Sequence, residues 1–484
     1  MFPTKVVAYL KNLSKPIALD ALALIAGIAL VFAFAPFNFY VLATLCPAFL
    51  LYSVQQIGAR RAAIRGFCFG LGFFGASVSW VYVSIHVYGQ TPVGGAVLLT
   101  FLSVAVLALF PAAAVFLTQA LFPSRMKTQC LLAFPFFWVL MEALRGWLFT
   151  GFPWVFLGYS QVSSPLSGYA PLISVYGISF LLVFTSGLLV LLVSEEKFKS
   201  LWFALLFLIW AAGWGLTHYD WVKPSGKEIK ISLIQGNVLQ SEKWQPEYLI
   251  KILQKYKRLT EENWGSQLII WPEAAIPLPY DAAIDFLDLL SQQAAKHNAS
   301  LLVGIPVREG KDTYYNALIA LGKGKGRYYK RHLVPFGEYL PFSHLLRGVI
   351  NFFDIPMSDF SPGEEHQPPI TVNGAKISAL ICYEIAYLRV LLPTLAEANL
   401  IVVVSDDSWF GHSLAPAQHL QIAQMRALET GKTILFATND GITAVIESNG
   451  TIQHRAPQFN EYVLTETIKL KTGKTPLVAL FSEQ

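Results

Sequence analysis

The chain has 484 residues, 54% of them hydrophobic and 14% charged, with a mean hydropathy of +0.48 and a formal net charge of +5. Soluble domains carry about 25% charged residues, so these figures exclude a wholly soluble protein and place part of the chain in lipid. The basic residues form no stripe interleaved with aromatics outside the loops, so no nucleic-acid partner is expected.

The charges divide the chain near residue 220, with a membrane domain expected over 1–220. Seven apolar stretches, roughly 17–36, 39–56, 66–87, 94–121, 129–148, 170–194 and 200–218, approach the ~20 residues that a bilayer crossing needs. Residues 66–124 contain no Asp, Glu, Lys or Arg. The first stretch lacks a small-residue cleavage site and reads as a retained anchor. Basic islands alternate with loops that have no Lys or Arg. The islands are Lys5, Lys11 and Lys15, then Arg60, Arg61 and Arg65, then Arg125 and Lys127, then Lys197 and Lys199. Positive-inside reasoning puts every island in the cytoplasm and the domain after the seventh stretch outside it. Glu142 and Arg145 lie three apart on one helix face, spaced to pair, either as a structural ion pair or as part of a substrate path. Gly151-Phe152-Pro153-Trp154 breaks the apolar pattern and reads as an interfacial or re-entrant element, with Trp154 and Tyr159 suited to the headgroup zone.

From 221 to 470 the pattern alternates. Strands are expected at Ile229–Gln235, Leu268–Trp271, Ser300–Gly304, Asn316–Leu321, Ile377–Cys382 and Leu400–Val404. Helices are expected at Glu247–Glu262, Ala282–Lys296 and Ala415–Glu429, the last stopped by Gly431. This is an α/β domain, followed by a tail at 471–484.

Cysteine usage gives no disulfide framework. Cys46, Cys68 and Cys130 fall in apolar runs, and Cys382 stands alone in the polar half. Cys382 closes an apolar strand, where a side chain reaches the carboxyl edge of a sheet. A nucleophilic thiolate needs a base or a cation nearby. Glu273 ends another apolar strand behind the rigid Pro272, a setting suited to a general base. Lys330 and Glu338 sit in a run dense in aromatics, Tyr328 to Tyr339, and an ammonium there suits an oxyanion. No cofactor and no metal site is expected. His332, His412 and His419 have no partners at ligand spacing, and His412 and His419 read as loop or helix-surface residues.

In order and spacing, Glu273, Lys330 and Cys382 resemble the Glu–Lys–Cys triad of the nitrilase (carbon–nitrogen hydrolase) superfamily. Tyr328-x-Lys330-x-His332-Leu-Val-Pro-Phe-Gly-Glu338-Tyr, Phe360-Ser-Pro-Gly363, Ile381-Cys-Tyr-Glu384, Trp409-Phe-Gly411 and Met425-Arg-Ala-Leu-Glu429 narrow the resemblance to the apolipoprotein N-acyltransferase family. Gln235-Gly-Asn237, Lys243-Trp244 and Gly151-Phe-Pro-Trp154 resemble it too, so the likeness covers almost the whole chain.

The resemblance implies a polytopic helical membrane domain joined to a nitrilase-like α-β-β-α sandwich on the periplasmic side of a bacterial inner membrane. It implies acyl transfer from a phospholipid, typically the sn-1 chain of phosphatidylethanolamine. The acceptor would be the N-terminal S-diacylglyceryl cysteine of an apolipoprotein, reached through a cysteine thioester in ping-pong fashion. By resemblance, Glu273 is the general base, Lys330 stabilises the oxyanion and Cys382 is the nucleophile. Glu338 and Glu384 orient the lysine and the elbow, Tyr383 supports the thiol, and Asn316 lies near the site. Trp244 either lines the lipid access region or is an interfacial anchor. Phe342, Phe352 and Phe353, within Leu340–Phe360, form either an apolar mouth or ordinary core. A membrane-tethered nitrilase-like amidase, discharging its thioester to water, is the alternative.

Three departures stand out. Ser405-Asp406-Asp407 and Asn439-Asp440-Gly441 carry Asp where the family usually has Asn, at positions 406 and 440. The family usually ends in an eighth span, and the apolar run before Gln484 is too short to cross, so that span is either naturally absent or cut off; seven spans would leave the C-terminus outside.

Overall fold

The computed structural model describes residues 16–310, 313–339 and 360–482. The chain forms two compact units. One runs to His218 without residues 87–91; the other takes 87–91 and everything from Tyr219.

The first unit is helical. Every expected apolar stretch contains a helix: α1 (Pro16–Leu30), α2 (Leu42–Ser53), α3 (Ala59–Ser77), α4 (Val93–Leu121), α5 (Met126–Arg145), α6 (Ala170–Ser194) and α7 (Lys199–Leu216). Four of them, α4 to α7, are long and apolar enough to cross a membrane, and α3 with its bent continuation Val81–Tyr88 makes up to five. α1 and α2 have 15 and 12 residues, and at about 1.5 Å per residue both fall short of the ~30 Å hydrocarbon core. The outward face of α4 carries Val97, Leu98, Phe101, Val106 and Leu109, each more than half exposed, a surface that lipid matches and water does not. Where α1 crosses α3 the backbones nearly touch: a Cβ on Gly72 would lie 2.1 Å from the Leu24 carbonyl oxygen. Small residues at such crossings permit this close packing. Lys5, Lys11 and Lys15 lie outside the described residues.

Glu142 and Arg145 share a helix face and feel each other's charge. Among the described ion pairs none joins Glu142 to Arg145. Each instead binds the segment that follows. Glu142 Oε1 accepts the Leu157 N–H at 2.8 Å and the Trp138 indole N–H at 3.2 Å. Arg145 donates to the carbonyls of Phe152, at 3.0 Å, and Trp154. A helix end leaves its polar side chains facing the next stretch of chain, whose unpaired backbone groups must be satisfied. Trp154 and Tyr159 are buried inside the unit.

Among the described residues, the second unit holds two six-stranded sheets. The first has the order β12 (Tyr462–Thr472), β1 (Lys223–Gln235), β2 (Leu268–Ile270), β3 (Ser300–Glu309), β4 (Thr313–Gly322), β5 (Arg327–Tyr329). The second has the order β11 (Ile452–Arg455), β10 (Ala444–Ile446), β9 (Ile434–Thr438), β8 (Leu400–Ser405), β7 (Ala375–Ile381), β6 (Ile370–Val372). β1, β2 and β3 are parallel, as are β7, β8 and β9, and antiparallel strands flank both sets.

Strand alternation builds the layers. Ile231, Leu233, Leu268 and Ile270 face Ile377, Ala379, Val402 and Val404 in a core between the sheets. The intervening Ile269, Trp271, Leu301 and Val303 face outward and pack under α8 (Pro246–Glu261) and α9 (Ile284–Lys296). On the second sheet, α10 (Leu388–Leu395) and α11 (Ala415–Thr430) provide helical cover, and α11 ends on Gly431 at φ +67°. The result is an α-β-β-α sandwich, with two parallel runs buried on both faces as their apolar sequences require.

Candidate active site

The reactive groups sit past the carboxyl ends of the parallel strands, where open α/β sheets place ligands. After β2 the chain turns through Pro272, Glu273 and Ala274, and Ala274 has φ +45°. The turn lies so close to β3 that a Cβ on Gly304 would be 2.1 Å from the Pro272 carbonyl oxygen and 2.9 Å from the Glu273 Cα. Gly304 therefore lets Glu273 occupy its place. After β7, Cys382 takes φ +59° and opens a short 3-10 turn, Cys382–Ala386. A non-glycine residue in this region is strained, and a strained strand-to-turn step lifts a nucleophile out of its sheet.

Lys330 follows β5 and is only 1% exposed. Its Nζ donates to Glu273 Oε1 at 3.1 Å and to Glu338 Oε1 at 2.9 Å. Asn316, on β4, repeats the pattern: its Nδ2 reaches Glu273 Oε1 at 2.7 Å and Glu338 Oε1 at 2.9 Å. Two carboxylates are thus bridged by an ammonium and an amide. The second oxygens are held from the main chain. Asp406 N–H donates to Glu273 Oε2 at 3.0 Å, and Val334 N–H to Glu338 Oε2 at 2.8 Å.

Glu384 touches no lysine in this network. It ties two segments together. Its Oε1 accepts the N–H groups of Arg331 and His332 at 2.8 and 3.0 Å, and its Oε2 accepts that of Ile381 at 2.8 Å. Tyr328 Oη donates to both oxygens. The carboxylate so joins the chain carrying Lys330 to the chain carrying Cys382. The Tyr383 hydroxyl donates to the Leu333 carbonyl at 2.7 Å, and its ring lies 5.9 Å from Lys330 Nζ.

Electrostatics set the resting protonation. Burial, and next the Glu273 carboxylate, push the Cys382 thiol well above its ordinary range, against the pull of Lys330. Burial works to lower the Lys330 ammonium, but Glu273 and Glu338 outweigh it and hold it well above its usual value. The resting site therefore pairs a neutral thiol with a firmly charged lysine, and the thiol needs a base at the moment of attack.

Glu273, Lys330, Cys382, Glu338, Tyr383, Glu384 and Asn316 all converge here. Trp244 stands apart from that network: it is half-buried at the end of a short turn, Gln240–Lys243, with its ring 5.9 Å from Lys243 Nζ. Its neighbour Lys243 enters the site instead. Phe342, Phe352 and Phe353 lie outside the described residues. His419 corrects a surface reading. It is fully buried, with Nδ1 3.2 Å from Asp407 Oδ1 and Nε2 3.3 Å from the Cys382 carbonyl oxygen. Ser405, Asp406 and Asp407 were also missed as site residues. They close β8, and the strand-end argument that selects Glu273 and Cys382 reaches them too. Among the described residues no cluster of three or more His, Cys, Asp or Glu is arranged to hold a metal ion.

Comparison with known proteins adds two family matches. Residues 26–188 match the apolipoprotein N-acyltransferase N-terminal domain, and residues 230–475 match the carbon–nitrogen hydrolase family. The chain is 48% identical over 464 residues to the apolipoprotein N-acyltransferase of Coxiella burnetii, covering 95% of this chain and 96% of that protein. It is 42% identical to that of Pseudomonas syringae pv. tomato (92% and 90% covered) and 43% to that of Methylococcus capsulatus (94% and 91%). Among solved structures, the Helicobacter pylori carbon–nitrogen hydrolase matches at 15% identity and a TM-score of 0.38, over 53% of this chain and 91% of that one. Saccharomyces cerevisiae Nit3, of the nitrilase superfamily, matches at 18% and 0.38, over 55% and 96%.

Proposed function

This chain belongs to the apolipoprotein N-acyltransferase family, membrane acyltransferases that N-acylate lipoproteins, and we propose that it takes its acyl group from a phospholipid through a thioester on Cys382. The observation that carries this reading is the convergence of Glu273 and Lys330, joined at 3.1 Å, with a buried Cys382 held at φ +59°.

In the first half-reaction, Glu273 takes the Cys382 thiol proton as Sγ attacks the ester carbonyl of phosphatidylethanolamine. Oε2 suits this role, since Oε1 already accepts from both Lys330 and Asn316. The carbonyl oxygen becomes an oxyanion facing Lys330, whose charge is secured by two carboxylates. The carbon–oxygen bond breaks, Glu273 returns the proton to the departing alkoxide, and lysophospholipid leaves. In the second, the α-amine of the S-diacylglyceryl cysteine attacks the thioester and loses its proton to Glu273. The carbon–sulfur bond breaks, the amide forms, and the proton returns to the thiolate. Asn316 and Glu338 hold Glu273 and Lys330 in register, and Glu384 and Tyr383 hold the two chain segments.

The alternating basic islands support a bacterial inner-membrane location with the catalytic unit on the periplasmic side. On this reading residues 1–220 carry the membrane helices and 221–470 the catalysis.

The test is intact-mass spectrometry after incubation with phosphatidylethanolamine, beside a Cys382→Ala variant. A fatty-acyl adduct that the variant lacks, and that a diacylated lipopeptide discharges, is the expected result. Discharge by water alone would make the chain a tethered hydrolase. The absence of an adduct on a reactive thiol would remove phospholipid as donor.

A further inference from the structure

A further buried ion pair, which does not involve Lys330, also touches Glu273. Lys243 and Asp406 bond directly, and their side chains are only 3% and 6% exposed. Both partners also bear on Glu273. Lys243 Nζ donates to the Glu273 main-chain carbonyl at 3.2 Å, and the Asp406 main-chain N–H donates to Glu273 Oε2 at 3.0 Å. The pair thus grips the residue at its backbone and at its carboxylate.

Asp406 is itself fixed from every side. Its Oδ1 accepts from Ser408 Oγ at 2.6 Å, from Ser408 N–H at 3.4 Å and from Asn439 Nδ2 at 3.3 Å. Asn439 in turn exchanges bonds with Val238, through Nδ2 to the carbonyl at 2.8 Å and Oδ1 from the N–H at 3.0 Å. The chain segment that leads to Lys243 is therefore pinned to the second sheet. Hydrophobic residues of similar volume are often as stable as a buried ion pair, so general stability does not account for one placed here.

We propose that Lys243 and Asp406 are positioning residues for the reaction, acting as one unit that fixes the carboxylate of Glu273 for proton transfer with Cys382. This rests on the proposed role of Glu273 as general base. Lys330 and Asn316 both hold Oε1, which leaves Oε2 to the Asp406 N–H among the described hydrogen bonds. The direction in which Oε2 points is then set by where Asp406 sits, and Lys243 sets that. A small misplacement of a base relative to the proton it takes costs rate without loosening substrate binding.

The experiment uses the full-length enzyme in detergent with phosphatidylethanolamine. The quantity read is the single-turnover rate constant for acylation of Cys382, by quenched intact-mass spectrometry. A purely structural defect lowers the amplitude, the fraction of protein that acylates; a positioning defect lowers the rate constant. Lys243→Met and Asp406→Leu are each expected to slow acylation roughly 10- to 100-fold, with the phosphatidylethanolamine concentration for half-maximal rate unchanged within about twofold. The double variant is expected to be no slower than the slower single variant, since residues acting as a unit are not additive. It also removes both charges together, which guards against misfolding from one unpaired charge. Rate constants at the wild-type level in the double variant, or losses that multiply, would overturn the proposal. Glu273→Gln separates this from the reading beneath it. If that variant is inactive while the double variant is normal, only the positioning role falls. If Glu273→Gln acylates normally, the base assignment falls and this inference with it.

Discussion

His419 Nε2 lies 3.3 Å from the main-chain carbonyl oxygen of Cys382, the nucleophile candidate held at φ +59°. The other ring nitrogen faces Asp407 Oδ1 at 3.2 Å, and Ser405 Oγ donates to the same oxygen at 2.7 Å. A buried imidazole on α11 therefore braces the strained elbow against the end of β8. Replacing it with an apolar side chain leaves the Asp407 carboxylate short of a partner. His419→Leu is expected to destabilise the protein by about 1–3 kcal/mol, read by thermal unfolding, and to slow acylation of Cys382. An unchanged melting temperature would show that the brace carries no load.

The Cys382 thiol and the proposed base Glu273 make opposed predictions in one variant. Glu273 raises the Cys382 thiol, after burial the largest influence upon it. Glu273→Gln removes that negative charge, so the thiolate forms at lower pH than in the wild type. Alkylation by iodoacetamide is expected to start at lower pH in the variant, while acyl loading from phosphatidylethanolamine is lost. An alkylation profile identical to the wild type would mean that the two groups do not face each other as described.

Asp440 gives a pH signature of its own. Burial first, then the neighbouring Asp406 charge, push its carboxyl from 3.8 up to about 7. A raised acid holds its proton in the folded state after the unfolded chain has lost it. Stability therefore falls as pH rises from about 4 to about 7 and levels off above that. Asp440→Asn removes this loss. Its melting temperature is expected to match the wild type near the acid end and to exceed it increasingly up to neutral pH, by the equivalent of a few kcal/mol at roughly 1.4 kcal/mol per unit. A constant difference across the range would be the contrary result.

In the membrane unit, Arg145 and Glu142 each bond the 152–157 segment, with no direct ion pair between them among the described residues. Gln at 142 still offers a carbonyl oxygen to the Leu157 N–H and the Trp138 indole. Met at 145 offers nothing to the carbonyls of Phe152 and Trp154. Glu142→Gln is expected to cost within about 1 kcal/mol and Arg145→Met about 2–3 kcal/mol or more, measured by thermal unfolding in detergent. Equal costs would restore an ion pair as the main anchor.

The sequence by itself marked the two-part plan, the buried apolar strands and the candidate triad positions. Those features have local causes. Residues 66–124 carry no Asp, Glu, Lys or Arg, a pattern that lipid permits. Leu268–Ile270 and the residues from Leu400 to Val404 are apolar because sheet and helix cover both their faces. Glu273 and Cys382 each interrupt such a run at its end.

Short strands such as β5, β6 and β10, three residues each, had no readable period, since pairing with a neighbour and not their own pattern makes them strands. The tertiary structure alone decided which polar residues meet. Lys243 and Asp406 are 163 positions apart, and nothing in either segment marks the other. His419 looked like a helix-surface residue because α11 carries polar residues all round; only its burial between the Cys382 turn and β9 shows otherwise. Hydrophobic pattern is written along the chain because burial is a property of each residue with its neighbours. A buried polar network is satisfied by partners from other strands, so it exists only once the two sheets have closed on each other.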